Sequence, residues 1–382
     1  ALAIVVVIVD RVVPERYEVK DPPEVAESSD VADPVESAVA QSSVAENSIA
    51  ILPFDDMSET GNQAYFSDGL AEELLNSLAK LPELKVASRT SSFSFRDVGA
   101  DIRTIAAQLG VRYILEGSVR KHADRIRVTT QLIDAETDFH VWTEVYEREQ
   151  NDVFAIQDDI THKVVSALQL VISDQSETVL SRKSTQDIDA FEAYLRGRSF
   201  LRIPKSDETL ASAEASFRKA IELDANYADA HAGLCDTYRE RYQATSDMTA
   251  FENAEAACDR ALALSPGEPP VLISLGQLYR LSGEDFSAEQ NFLRAIELDD
   301  RAAAAYDGLA RTYEHQNRLD DAYMAFQRAI DIQPGYWWAH AAMGSFLFRI
   351  GRSDEALSYM REAVDVSPNN PRALNNLGSS LY

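Results

Sequence analysis

Pro266, Asp300, Pro334 and Pro368 stand 34 residues apart, and a common apolar pattern precedes each of them. Few architectures satisfy that period. Each unit is one pair of helices too small to bury its own apolar face, so the units must stack into an array. An array of this kind offers surface for holding other molecules and lacks the closed pocket that chemistry needs.

One unit runs through Pro269, Leu272, Leu275, Gly276 and Tyr279, then Ala288, Phe292 and Ala295. The next repeats it with Tyr306, Leu309, Ala310, Tyr313, Ala322, Phe326 and Ala329. The third has His340, Met343, Gly344, Leu347, Ala356, Met360 and Ala363. Spacings of three and four put each set on one helical stripe, Gly276 and Ala288 let backbones approach, and a following proline stops the second helix. This run resembles the tetratricopeptide repeat (TPR) family. Upstream, a unit with His231, Leu234, Cys235, Tyr238, Ala254, Cys258 and Ala261 carries an insertion between its helices, as does one with Gly197, Phe200, Ala213, Phe217 and Ala220. A sixth unit opens at Pro371 with Leu374, Leu377, Gly378 and Leu381, and the chain is expected to continue beyond Tyr382, because solenoids end in a polar cap.

Ala1 to Val9 is wholly apolar and runs into Asp10 and Arg11. Nine helical residues span ~14 Å, about half a bilayer's hydrocarbon thickness, and the stretch is predicted to be the trailing end of a transmembrane helix that begins upstream. Residues 15–46 hold nine acidic and two basic side chains, three prolines and Tyr17 as the sole aromatic, so they cannot bury enough apolar area to offset ordering. They are expected to form a disordered acidic linker. A formal charge of −27 argues against nucleic acid as a partner. Cys235 and Cys258, both at core positions of one unit, are expected to be buried free thiols, since no multi-cysteine framework surrounds them, with a disulfide between the paired helices left open for an oxidising compartment.

Ser48 to Phe54 reads as a buried strand, Phe66, Leu70, Leu74, Leu75 and Leu78 as a helix, 84–87 as a strand and 102–109 as a second helix. Alternation then marks strands at 113–119 and 125–133, flanking residues 121–124 as a hairpin. A strand over 139–146 and a helix over 153–171 complete an α/β sandwich. The pieces Ile49 to Phe54, Tyr65 to Leu70, Leu115 to Ser118, Arg127 to Asp134, His140 to Trp142 and Ala155 to Asp159 resemble the TolB amino-terminal-like domain. The resemblance implies a periplasmic, non-catalytic module that follows a transmembrane helix and precedes TPRs, downstream of a class III nucleotide cyclase or a winged-helix domain. Asp138 and Phe139 depart from the family, which usually has Gly at that strand turn.

The predicted fold class is therefore an α/β sandwich domain (TolB N-terminal-like) followed by an all-α TPR solenoid. Its layout is 1–13 the end of a transmembrane helix, 14–47 linker, 48–178 α/β domain, and 186–382 solenoid with about five repeats and a truncated sixth. Placement is expected in the inner membrane, single-pass, with residues 14–382 periplasmic.

No phosphate-cradling Gly-rich loop, nucleophile elbow or paired-histidine spacing occurs, so no catalytic, cofactor or metal role is assigned. Ser77 with Lys80 and Ser118 with Lys121 match Ser-x-x-Lys by chance, because the companion Lys-Thr-Gly strand is missing. His231 and His340 read as core or groove-edge residues, and Asp68 and Glu116 as capping or turn-fixing carboxylates. Arg120, Lys121, Arg125 and Arg127 are expected to form the one local basic cluster, most simply as a solvated face.

The better-founded surface is the groove lined by the first helices. Repeat register places there Asp229, Ala232, Asp236 and Arg239; Ile273, Gln277 and Arg280; Asp307, Arg311 and Glu314; and Trp338, Ala341, Ser345 and Phe348. Trp338 and Phe348, one floor from Arg311, make an aromatic-plus-arginine cluster of the type that dominates interface energetics, with Trp337 directed elsewhere. The function expected is a non-catalytic, membrane-anchored scaffold or sensory module that binds a protein or peptide partner in this groove. The alternative is the sensory region of a class III adenylate or guanylate cyclase, or of a winged-helix regulator, whose effector lies upstream. A homodimer is left open, with no heptad run arguing for one.

Overall fold

The computed structural model describes residues 45–381 apart from 60, 97, 174–175, 178–179, 181–184 and 368–369. The expected transmembrane end at 1–13, the linker up to 44 and the helix stop at Pro368 lie outside the described residues. Among the described residues no helix is long and apolar enough to cross a membrane. The longest, Ala228–Thr245, carries Asp229, Asp236, Arg239, Glu240 and Arg241, each of which costs several kcal/mol at a bilayer centre. The expected inner-membrane, single-pass placement with residues 14–382 periplasmic is corrected accordingly.

A mixed sheet of β1 (Ser48–Ile51), β2 (Asp55–Asp56), β3 (Lys85–Val86), β4 (Tyr113–His122), β5 (Arg125–Asp134) and β6 (Phe139–Glu149) opens the described chain. Its order is β3-β1-β4-β5-β6, with β2 paired to β4. The unbroken apolar run of β1 suits a strand lying parallel to β3 and β4 and covered on both faces, whereas β4, β5 and β6 run antiparallel and alternate. Two residues close the β4–β5 hairpin, with Ala123 left-handed at φ 52°. Asp138 occupies the left-handed conformation at φ 64° before β6, a geometry that Asp tolerates better than most residues.

On one face lie α1 (Ala64–Ala79) and α4 (Val153–Ala167), each burying a residue every third or fourth position: Phe66, Leu70, Leu74 and Leu78; Val153, Ile156, Ile160 and Val164. On the other, α3 (Ile102–Leu109) covers Ala50, Leu52 and Ile114. It starts on the Asp101 carboxylate, which accepts from Thr104 N at 3.0 Å, and stops at Gly110 with φ 64°. The helix expected to reach Val171 ends at Ala167, because Gln169 turns left-handed and Leu170 N bonds back to Val165 O. Strand β2 and the one-turn α2 (Arg89–Phe93) are too short to show a period and escape a sequence reading.

The helical array follows as pairs: α5 (Ile188–Phe200) with α6 (Asp207–Leu223), α7 (Ala228–Thr245) with α8 (Met248–Leu264), α9 (Pro269–Ser282) with α10 (Asp285–Leu298), α11 (Ala303–His315) with α12 (Leu319–Ile332), and α13 (Trp337–Arg349) with α14 (Ser353–Val366). The last helix, α15 (Pro371–Ser380), stands beside α14. Gly276 makes room for a ring more than for a backbone: a Cβ there would lie 2.7 Å from the ring of fully buried Phe292, and a Cβ on Gly308 of the next unit would meet the same ring. Phe217 is clasped in the same way by Gly197 and Gly233. Cys235 of α7 and Cys258 of α8 are joined as a disulfide with Cα atoms 5.1 Å apart. The expected free thiols are thus corrected, since facing core positions of paired helices bring the sulfurs together. His231 and His340, equivalent in register, each bond through Nε2 to a carbonyl six residues earlier, Ala225 O at 3.2 Å and Pro334 O at 2.7 Å, pinning the entry of the first helix.

Helix α1 docks on α5, where Leu195 fills the space over Gly69. Phe191 of α5 meets Phe66 at 6.5 Å and Phe154 at 5.1 Å, both edge to face. Arg301, at the start of the fourth pair, donates to the Ala79 and Leu84 carbonyls at 3.2 and 3.5 Å, and at Ala79 it occupies an orphan C-terminal acceptor of α1.

Candidate binding groove

Successive first helices touch one another, α7 with α9, α9 with α11, and α11 with α13, so together they make one continuous wall. The structure gathers part of the predicted residue set on it. Asp236 accepts from the Ser274 hydroxyl at 2.5 Å and faces Arg239 at 3.8 Å, while Arg239 also pairs with Glu240 at 2.8 Å. One floor on, Arg280 lies within the fields of Arg311 and Arg239 and also of the Asp307 and Asp285 carboxylates. Burial and then the neighbouring Arg311 hold its guanidinium below the ordinary range. On the next floor, Asp307 takes Arg311 through both nitrogens at 2.9 and 3.2 Å. Burial alone would lower Arg311, and the Asp307 carboxylate more than offsets it.

The Arg311 guanidinium lies 5.6 Å from the Trp338 ring centroid and 5.9 Å from that of Phe326. Trp338 in turn meets Trp337 edge to face at 5.4 Å, so the two rings are in contact although they leave the helix in different directions. Phe348, near the end of the same helix, is 47% exposed.

Other predicted positions stand apart from this core. Glu314 is engaged by Arg349 at 2.5 and 2.7 Å. The Ser345 hydroxyl bonds back to Ala341 O at 2.8 Å. Ile273 is half-buried and packs against Leu272, Ala295 and Ala305, and Gln277 is half-buried on the wall. Asp229 lies within the field of Glu73 of α1, whose carboxyl is pushed up to about 7 by burial and then by Asp229.

Sequence reasoning missed the strongest basic cluster. Arg89 and Arg96 from the α2 region and Arg198 and Arg202 from the α5 region converge on Glu72 and Asp68 of α1. Asp68 accepts from Arg96 and Glu116 from Gln131, so neither serves as a cap. The predicted hairpin cluster is dispersed: Lys121 pairs with Glu192 at 2.6 Å, Arg120 bonds Met57 O at 3.1 Å, and Arg125 faces Glu147 at 3.4 Å. Only the sequence separation of about a hundred residues between α2 and α5 concealed the true cluster; its side chains are ordinary. Arg198, Arg202, Lys205, Asp236, Arg239 and Glu240 border a cleft of about 170 Å³ that leads from this seam onto the wall.

Residues 313–379 and 287–336 match tetratricopeptide repeat family profiles, and residues 45–163 match the second domain of HilA/YgeH-like transcriptional regulators. A Rhizobium meliloti (strain 1021) protein carrying an adenylate cyclase name is 40% identical over 192 residues, 50% of this chain and 32% of its own length. Cellulose synthase operon protein C of Xanthomonas axonopodis pv. citri (strain 306) is 26% identical over 44% of this chain and 11% of its own. The chain spans a third or less of the length of these curated relatives. Among solved structures, a thermophilic TPR protein of Thermus thermophilus aligns with 50% of this chain and 98% of its own at 16% identity and TM-score 0.45. YrrB, described as a TPR protein with an unusual peptide-binding site, aligns with 53% and 97% at 20% identity and TM-score 0.35. The paired helices of the C-terminal part are tetratricopeptide repeats.

Proposed function

We propose that the chain is a non-catalytic interaction scaffold that lays a peptide segment of a protein partner along the wall of α7, α9, α11 and α13. The observation that carries this reading is the Arg311–Trp338 stack at the start of α13, with exposed Phe348 near the other end of the same helix. Aromatic and arginine side chains left accessible on a rigid element are the residues from which interface hot spots are built. Immobilised chain is expected to retain a specific protein from a lysate of the source cells. Trp338→Ala combined with Phe348→Ala loses that protein, whereas Phe286→Ala on the outer helix α10 keeps it. Retention unchanged by the double variant removes the groove from the account.

A second reading concerns the whole protein. Relatedness at 40% identity to a protein with an adenylate cyclase name, and the match of residues 45–163 to a regulator domain, support a scaffold that works in series with a separate effector, either a class III nucleotide cyclase or a winged-helix DNA-binding domain. The TolB-like pieces between Ile49 and Asp159 are compatible with either partner domain. Sequencing the gene upstream decides between them: paired metal-binding aspartates identify a cyclase, and a basic recognition helix a regulator.

A further inference from the structure

The cleft of about 170 Å³ at the seam is positive in a chain of net charge −27. Arg198, Arg202, Lys205 and Arg239 border it, and the carboxylates on the same lining are Asp236 and Glu240. Further compensation is shared. Glu72 of α1 serves Arg89, Arg198 and Arg202 at once, while Glu73 and Asp229 add to the field on Arg198 and Asp68 to that on Arg202. Lys205 makes no ion pair with a described residue and donates to Leu201 O. Burial holds its ammonium below the ordinary range, and the pull of Glu240 and Asp236 does not restore it. Many donors here are unspent, since a guanidinium has five N–H groups and an ammonium three. Arg198 gives one nitrogen to Glu72 at 3.0 Å and Arg239 one to Glu240 at 2.8 Å. Arg239 Nε is buried with no acceptor in hydrogen-bond reach, Asp236 standing 3.8 Å away.

We propose that this cleft binds hydrogen phosphate, the dianion of inorganic phosphate. Two negative charges match the surplus of the lining, and tetrahedral oxygens accept from several guanidinium and ammonium donors together. The volume equals that of about five or six waters, which suits a free phosphate better than a larger ester. Asp236 and Glu240 set the choice of anion. Asp236 Oδ1 accepts from Ser274 and Glu240 Oε1 from Arg239, so the second oxygen of each is open to a donor. Near neutral pH hydrogen phosphate keeps one P–OH and donates it to a carboxylate; sulfate, equal in charge and shape, has none and meets only repulsion there. The site lies between α5 and α7 and does not rest on the groove reading.

The test is isothermal titration calorimetry of the full chain near neutral pH, in chloride buffer of fixed ionic strength, with sodium phosphate, sodium sulfate and glycerol phosphate. Phosphate is expected to saturate one site with a Kd below about 1 mM. Sulfate should bind about tenfold more weakly, the worth of one hydrogen bond to a charged group, and glycerol phosphate more weakly than phosphate. Lys205→Gln, at an exposed position, should weaken phosphate about tenfold, as should Arg239→Gln. Lys219→Gln on α6, whose partner is Glu222, should leave it unchanged. Absence of saturation by about 1 mM overturns the proposal. So does sulfate that binds as tightly as phosphate, or unaltered phosphate affinity in Lys205→Gln. Tighter binding of glycerol phosphate overturns the assignment to the free anion. If Arg239→Gln melts early by circular dichroism, Lys205→Gln decides. Trp338→Ala with Phe348→Ala should bind phosphate as the unaltered chain does, so that the groove and the anion cleft stand or fall separately.

Discussion

Glu72 offers the sharpest test of how the sheet and the helical array are joined. Its side chain is 4% exposed and meets Arg89 Nε at 2.6 Å, a terminal nitrogen of Arg198 at 3.0 Å, and Arg202. Burial, and for Arg89 also the neighbouring Arg198, lowers the Arg89 and Arg202 guanidiniums to about 10. Glu72→Gln retains the shape and removes the charge, leaving buried guanidiniums facing an amide. Breaking a buried ion network from one side costs about 3–5 kcal/mol. With a urea slope of about 3 kcal/mol per molar, the unfolding midpoint followed by circular dichroism should fall by more than about 1 M. Because α1 carries Glu72 while Arg198 and Arg202 belong to the α5 region, the seam should loosen first, and a second transition should separate from the main one. In a double-mutant cycle, Glu72→Gln and Arg202→Gln should couple by more than about 1 kcal/mol. A Glu72→Gln midpoint within about 0.2 M of the unaltered chain, with one transition, would refute the claim that this network ties the two halves together.

Glu73 should make stability depend on pH in the opposite sense to an ordinary ion-paired carboxylate. Its folded-state pKa is raised from 4.5 to about 7, so the stability it contributes is full below about 4.5 and is lost as pH rises to 7. Glu73→Gln is therefore expected to stabilise the chain by ~1–3 kcal/mol at about pH 8 and to change little at about pH 4; equal effects at both values in urea titrations refute the assignment. Phe292→Ala should cost about 3–5 kcal/mol by emptying the space between Gly276 and Gly308. Gly276→Ala should lose roughly 1–3 kcal/mol to overpacking despite its better helix propensity, and a stabilised Gly276→Ala would show that the ring has room to move. Reducing the Cys235–Cys258 disulfide, which closes a separation of 23 residues, should lower stability by about 3 kcal/mol on a chain-entropy account. Thiol titration of the unfolded chain checks that the bond is present, and identical unfolding curves with and without reductant would contradict it.

The helical half was legible because each unit repeats its own grammar. Pro269 and Pro371 open helices, and Phe217, Phe292 and Phe326 fill the same place in the first, third and fourth units. Alternation located β4 and β5 to within a residue or two at most ends, and Asp101 and Gly110 bound α3 as its predicted limits require. What stayed hidden depends on distance along the chain. Nothing local announces that Arg198 and Arg202 meet Glu72, since they lie 126 and 130 positions further on. Likewise, register placed Arg239, Arg280 and Arg311 on one wall, but which carboxylate pairs with which arginine follows only from where Asp236, Glu240 and Asp307 point. Ile273 and Ser345 show the limit of register in the other direction: one packs inward and the other spends its hydroxyl on its own helix. The apolar start of the chain favoured a membrane span by composition, and it lies outside the described residues, among which no helix is long and apolar enough to cross a membrane.

Photo-crosslinking tests the central claim most directly, and it works whatever the partner is. A photoreactive phenylalanine analogue replaces Phe348 on the inner wall or Phe286, 76% exposed on an outer helix, and each protein is irradiated in lysate of the source cells. A binding groove predicts a discrete adduct from position 348 that is lost in Trp338→Ala, with none from position 286. An adduct formed only from position 286 would contradict it.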